Sequence, residues 1–253
     1  DYDKNEINTE MLLEAWTIDF ISKKGFEGEK YNYVTHQVIA SPFKPLAYID
    51  KMDIFAYRYL EEYPDLEKPI EKYMVIELKK GKATRNFPLQ LMRYVDWISK
   101  EYAAGDYSLI KAVGIAKGYP KGMQKIIDEQ CNRSYLSDLH PNITSQWNDL
   151  SLYEYFMDKG NQLRIRKSNI FDPILELKER FSNIGLKYNN GKIRINGGVY
   201  SPKFKVQSQK WAFFERIDEE EKNVLSKNGW TVIDVSKIKN RVEVNQLILE
   251  LFR

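Results

Sequence analysis

The run Val75-Ile76-Glu77-Leu78-Lys79 sets a carboxylate and an ammonium two residues apart among apolar neighbours. On a strand, side chains alternate between faces, so Glu77 and Lys79 project together and Ile76 and Leu78 go the other way. Upstream, Met52-Asp53-Ile54-Phe55-Ala56 places a second carboxylate in an apolar frame on an expected strand. Downstream, Gln90 and Tyr94 are four apart and share one face of the expected helix. Two carboxylates and a lysine meeting at strand ends suit metal-assisted phosphodiester hydrolysis. Carboxylate oxygens hold Mg²⁺, with Mn²⁺ able to substitute. The metal polarises a phosphoryl oxygen and makes bound water nucleophilic. The lysine orients that water or neutralises charge growing on the phosphate. Alone, a Glu-x-Lys triplet reads as a surface salt bridge; the surrounding residues favour a site.

The rest of the composition narrows the chemistry. The chain has 253 residues, one cysteine and two histidines. Cys131 alone excludes an internal disulfide or a Cys cluster, and His36 and His140 are too few for a His-rich zinc site. Both histidines read as structural or surface residues, and Cys131 as a small core residue. Any metal chemistry must therefore use carboxylates and a hard cation. No apolar run reaches the roughly 18 residues of a membrane span, and the acidic start, Asp1 to Glu6, is unlike a secretory leader. The expected location is cytoplasmic or nucleoid-associated.

The formal net charge of +3 hides an asymmetry: residues 1–150 carry 20 Lys and Arg against 23 Asp and Glu, and residues 151–253 carry 19 against 13. A basic segment beside a near-neutral one suggests a polyanion-binding part joined to another part; the plainer reading is a solvated lysine-rich surface. Arg164, Arg166, Lys167, Lys192, Arg194, Lys203 and Lys205 are the expected phosphate contacts.

Several elements must position these residues. Thr9 to Lys23 reads as a helix, with Met11, Leu12, Ala15 and Ile18 at helical spacing. Tyr31 to Ile39 and Leu46 to Tyr59 read as extended, with a break at Ser41 to Pro45. Glu61 to Lys72, charged and holding Pro64 and Pro69, reads as a loop. Tyr73 to Lys79 is a buried-strand run from which Lys80-Gly81-Lys82 turns away. Pro88 opens a helix reaching Glu101, Leu109 to Ala116 is a strand, and Lys121 to Cys131 a helix. Beyond a boundary between 150 and 170, Ile170 to Phe181 is helical and Asn189-Asn190-Gly191 and Asn196-Gly197-Gly198 are hairpin-type turns. Lys192 to Ile195 and Thr231 to Val235 are extended; Asp218 to Lys227 and Val242 to Phe252 are helical. Trp147, Tyr153, Tyr155 and Phe156 read as interdomain core. The alternation implies a mixed α/β sheet.

The pattern resembles the PD-(D/E)XK nuclease superfamily. More narrowly, residues 9–130 resemble the catalytic domain of the archaeal and actinobacterial mismatch and branched-DNA endonuclease family. Its Q-x-x-R-Y-V phrase stands here as Gln90-Leu91-Met92-Arg93-Tyr94-Val95. The resemblance implies that Asp53 and Glu77 bind metal, that Lys79 is the signature lysine, and that Gln90 and Tyr94 complete the site. Thr9-Glu10-Met11 resembles the helix that supplies a further acid, so Glu10 is the expected third metal ligand, with Glu14 its rival. Gln37 falls where the family carries a polar residue. Two departures stand out: Met52 replaces the motif proline, and the Asp53–Glu77 gap is lengthened around Glu61 to Glu71. Asp218 to Lys222 and Gly229 to Val232 distantly resemble the last helix and strand of very-short-patch-type nucleases, without an acid-x-lysine pair.

The expected fold is thus an α/β restriction-endonuclease-like core over residues 1–155, a mixed sheet flanked by helices. A smaller, basic α+β domain that binds or selects DNA follows over 156–253. The expected activity is Mg²⁺-dependent endonucleolytic hydrolysis of DNA, as in stand-alone defence, mobile-element or repair nucleases. The rival reading is an inactive nuclease-fold subunit that binds DNA or assembles a complex. DNA is the expected partner. One site per chain implies nicking, or a homodimer or partner nuclease or repair subunit; no membrane is involved.

Overall fold

The computed structural model describes residues 9–40, 50–60, 68–160 and 162–253. Expectations at Ser41 to Pro45, Leu46 to Ile49 and Glu61 to Glu67 fall outside these residues. The chain divides into two compact units, Asp1–Ile170 and Phe171–Arg253.

The first unit is built on a six-stranded mixed sheet, in the spatial order β1 (Tyr33–Ile39), β2 (Lys51–Tyr59), β3 (Ile70–Lys82), β4 (Ile110–Gly118), β7 (Leu150–Met157) and β8 (Leu163–Lys167). The outer pairs and β2–β3 are antiparallel, whereas β3–β4 and β4–β7 are parallel. Between β4 and β7 lie α3 (Met123–Gln130) and a separate hairpin of β5 (Arg133–Leu139) and β6 (Asn142–Trp147), an element beyond those expected from the sequence. Helices α1 (Glu10–Lys24) and α2 (Phe87–Glu101) cover the two faces. Ile54, Ala56, Met74, Ile76 and Leu78 pack with Leu13 and Ile21 of α1. Phe55, Tyr73 and Val75 pack with Leu91, Tyr94, Val95 and Ile98 of α2. Burial on both faces explains why β3 reads as a continuous apolar run rather than an alternating one.

Three sequence expectations are corrected here. Helix α1 forms, but it buries Leu13, Thr17 and Ile21, while Met11 and Leu12 are exposed. The helix is apolar around much of its circumference, so spacing alone left the buried face ambiguous. Strand β3 runs from Ile70 through Lys82, beyond both expected ends: Ile70 and Lys72 pair with β2, and Lys82 pairs with Gly118. The two compact units divide at Ile170/Phe171, the far end of the expected 150–170 range, and Tyr155, Phe156 and Met157 pair with β8 inside the first unit's sheet. The aromatic patch divides as well. Trp147 joins the α2-side core, Tyr153 and Tyr155 the α1-side core, and Phe156 is exposed.

The second unit places α4 (Pro173–Asn183) before a hairpin of β9 (Ile193–Ile195) and β10 (Gly198–Tyr200). A three-stranded sheet follows, of β11 (Phe204–Val206), β12 (Trp211–Phe214) and β13 (Thr231–Asp234), with α5 (Glu219–Lys227) crossing over and α6 (Arg241–Leu251) closing the chain. Phe181, Phe204 and Phe213 are fully buried and in mutual ring contact at its centre.

Candidate active site

Strands β2 and β3 pair regularly as far as Ile54 and Ile76. At the next step Asp53 takes over from the ladder: its Oδ2 accepts the Leu78 amide at 2.7 Å. The bond fixes the carboxylate beside β3, and alternation brings Glu77 to the same face. On β1, Gln37 lies between the paired residues His36 and Val38, at the level of Asp53, and adopts a left-handed conformation with φ 53°. A non-glycine residue there is uncommon and interrupts the regular strand locally.

Glu77 is 2% exposed and lies opposite Gly114 of β4. A Cβ at Gly114 would come within 2.5 Å of Phe87 and 2.6 Å of Leu152. Its absence lets Phe87, the first residue of α2, sit against the sheet. One turn on, Gln90 Nε2 donates to Glu77 Oε1 at 2.5 Å and contacts the Tyr94 hydroxyl at 3.3 Å. Glu77 Oε2 is buried with no hydrogen-bond partner among the described residues. A buried carboxylate oxygen without a donor is costly unless something cationic serves it.

Burial raises both acids above the ordinary carboxylate range, Glu77 to about 8 and Asp53 to about 6. For Glu77 the neighbouring Asp53 charge adds to desolvation, and Lys79 opposes both. For Asp53 the Leu78 amide and Lys79 oppose desolvation, while Glu10 and Glu14 add to it. These are the signs of two carboxylates sharing one low-dielectric site. Burial also leads the upward shift of the Tyr94 phenol, with Glu77 adding to it.

Lys79 Nζ lies 3.2 Å from Glu10 Oε1 and 3.9 Å from Glu77 Oε1. Burial works against its charge, but Glu10, Glu77 and Asp53 outweigh it and raise its pKa. Glu10 stands at the start of α1, whose cap is Thr9 accepting the Leu12 amide at 3.2 Å. The rival acid, Glu14, binds His36 Nδ1 at 2.7 Å and Gln37 Nε2 at 3.3 Å. Asp53, Glu77, Lys79, Gln90, Tyr94 and Glu10 are therefore linked in one network. Among the described residues, no group of three or more His, Cys, Asp or Glu side chains is arranged to hold a metal ion. Glu10 pairs with Lys79, and its charge also acts on Asp53 and Glu77. Nothing local in the sequence marks His36 as a partner of Glu14; the four-residue spacing of Glu10 and Glu14 is the signal that both acids share one helix face.

The seven expected phosphate contacts are shared between the two units. Arg164, Arg166 and Lys167 lie on β8 of the first unit, and Lys192, Arg194, Lys203 and Lys205 lie in the second. Arg164 pairs with Asp158 at 2.9 Å, Arg166 with Glu154 at 3.0 Å, and Lys203 with Glu215 at 2.7 Å. The first two bonds brace the β7–β8 edge, where charged side chains also discourage pairing with other strands.

No family model matches the chain, and no curated protein matches it either. Among solved structures, the chain is similar to a repair endonuclease from Pyrococcus abyssi, with 21% identity and a TM-score of 0.32, over 52% of this chain and 46% of that one. It is also similar to a structure described as an EndoMS–dsDNA complex, with 16% identity and a TM-score of 0.28, over 51% of this chain and 44% of that one. The match thus spans less than half the length of either neighbour.

Proposed function

We propose that this chain is a metal-dependent nuclease that hydrolyses DNA phosphodiesters, with its site at the ends of β2 and β3. The observation that carries the reading is the buried Glu77 carboxylate, whose Oε2 has no donor among the described residues and whose neighbour is a second raised carboxylate, Asp53. A hard dication would relieve both the missing bond and the repulsion, so the pair fits Mg²⁺ or Mn²⁺. Such an ion, held by Asp53 and Glu77, would polarise a phosphoryl oxygen and lower the pKa of bound water. Glu10 is assigned to Lys79, consistent with its 3.2 Å contact, instead of to the ion.

The remaining roles belong to the chain's own groups. The Leu78 amide holds Asp53 in place. Gln90 fixes one oxygen of Glu77 and leaves the other open, and Tyr94 braces Gln90. Lys79, kept protonated by three carboxylates, is partly exposed beside the pair and can neutralise charge growing on a phosphate oxygen.

Supercoiled plasmid incubated with Mg²⁺ or Mn²⁺ tests the reading. Nicked or linear product is expected from the wild type, with Glu77→Gln lowering the rate by at least ~10²-fold, the scale of losing a charge-stabilising group. Equal behaviour of the two proteins on plasmid, mismatched, branched and single-stranded substrates would discard the enzyme and leave the DNA-binding subunit.

A further inference from the structure

In the second unit, residues 187–210 hold six Lys and Arg and no Asp or Glu. The cations of this unit divide by partner. Arg180 and Arg241 pair with Glu176, Lys203 with Glu215, and Lys222 with Glu219. Lys178 and Lys205 are both partly buried, yet neither has a carboxylate within ion-pair distance among the described residues. Lys178 Nζ donates to Asn190 Oδ1 at 3.2 Å and lies 5.5 Å from the ring centre of Tyr188 and 5.4 Å from that of Phe204. Lys205 Nζ donates to the Lys192 carbonyl at 3.0 Å and lies 5.8 Å from the ring centre of Trp230. Each ammonium has three donors and spends one on a neutral acceptor. Ring faces tolerate the charge without cancelling it.

Both lysines attach to the same loop. Asn189 and Lys205 exchange two backbone bonds, at 3.0 and 2.8 Å, and Gly191 N donates to Asn189 Oδ1 at 2.9 Å. The loop is thereby tied to β11, and exposed Lys187 and Lys192 flank it in sequence. A frame already fixed loses little further freedom when an anion docks.

We infer that the loop at 189–192, with Lys178, Lys192 and Lys205, is a docking surface for the phosphate backbone of a nucleic acid. The inference rests on the proposed DNA substrate and names where the chain grips it outside the site. The spread of cations over 187–210 suits a polymer of phosphates better than a single anion. The unit's own strands argue for holding over cutting. As in the first unit, an antiparallel pair (β11–β12) adjoins a parallel pair joined through a helix (β12–β13). Extending the β11–β12 register by two residues sets Glu215 opposite Pro202, where β2–β3 has Glu77 opposite Asp53. Glu215 thus faces no acid across the β11–β12 pair, and it is paired to Lys203.

Binding of the full chain to a fluorescent 30-base-pair duplex, with chelator and without metal, tests this across a salt series. For Lys178→Gln/Lys205→Gln, the slope of log K against log salt should shrink by about two, at ~0.9 per phosphate contact. Lys203→Gln, which removes an already paired charge, should leave the slope unchanged. Lys187→Gln/Lys192→Gln, at exposed positions that cannot unfold the unit, should also lower it. A slope unaltered by both double variants overturns the inference. So does wild-type binding to phosphatidylserine vesicles that is lost in these variants while duplex binding persists. Because cleavage plays no part in this readout, an inactive protein that binds as described would sink the proposed activity alone, and an active one with unaltered slopes would sink the surface alone.

Discussion

At the scale of single residues, the Asp53–Glu77 pair controls both stability and chemistry. Both folded pKa values lie above the unfolded value of roughly 4, at about 6 and about 8. For an acid raised in the fold, the associated stability is complete below the unfolded pKa and is lost as pH rises through the folded one. Metal-free protein should therefore lose thermal stability between about pH 4 and pH 8. Melting curves in chelator would check this, and Glu77→Gln should flatten the fall. Added Mg²⁺ should raise the melting temperature more at pH 8 than at pH 5, since only the charged pair binds it. A second residue-scale test concerns Gln90. Gln90→Ala removes the donor to Glu77 Oε1 and leaves that oxygen buried and unserved, a change of about 1–3 kcal/mol. Chemical denaturation should show the loss, and cleavage should fall with it, because Glu77 is no longer held in one rotamer.

At the scale of elements, the site depends on where α2 begins. Gly114 carries no side chain, Phe87 fills the space, and Gln90 reaches Glu77 as a consequence. Gly114→Ala should cost about 1–3 kcal/mol by overpacking and should reduce cleavage although residue 114 touches no site atom. Unchanged denaturation midpoints and rates would show that α2 is positioned by something else. The site's elements were legible to different degrees. The Glu-x-Lys strand and the Gln–Tyr helix could be read because each has a period of its own, two and 3.6 residues. The ends of β3 could not, since Lys80-Gly81-Lys82 looks like a turn until Gly118 is available to pair with it. Nor could the buried face of α1, where Leu12 and Leu13 are equally apolar and the sheet alone selects Leu13.

At the scale of the whole molecule, the division at 170 predicts where the chain can be cut. A fragment of residues 1–170 keeps all six strands and should give a cooperative unfolding transition in solution. A fragment ending at 155 loses β8 and the last residues of β7, uncovers the β7 edge, and should aggregate. Light scattering and circular dichroism separate these outcomes.

Local pattern alone reveals the residue types able to do chemistry here, the strand that carries Glu77 and Lys79, the helix that carries Gln90 and Tyr94, and the excess of cations towards the C-terminus. Those features are local: charge, period and turn chemistry act over a few neighbouring residues. It takes the tertiary fold to pair Glu10 with Lys79, to turn Glu14 to His36 and Gln37, and to set three of the seven expected phosphate contacts, Arg164, Arg166 and Lys203, against carboxylates. Which charge meets which is set by register and packing between segments distant in the chain, and no local pattern encodes those distances.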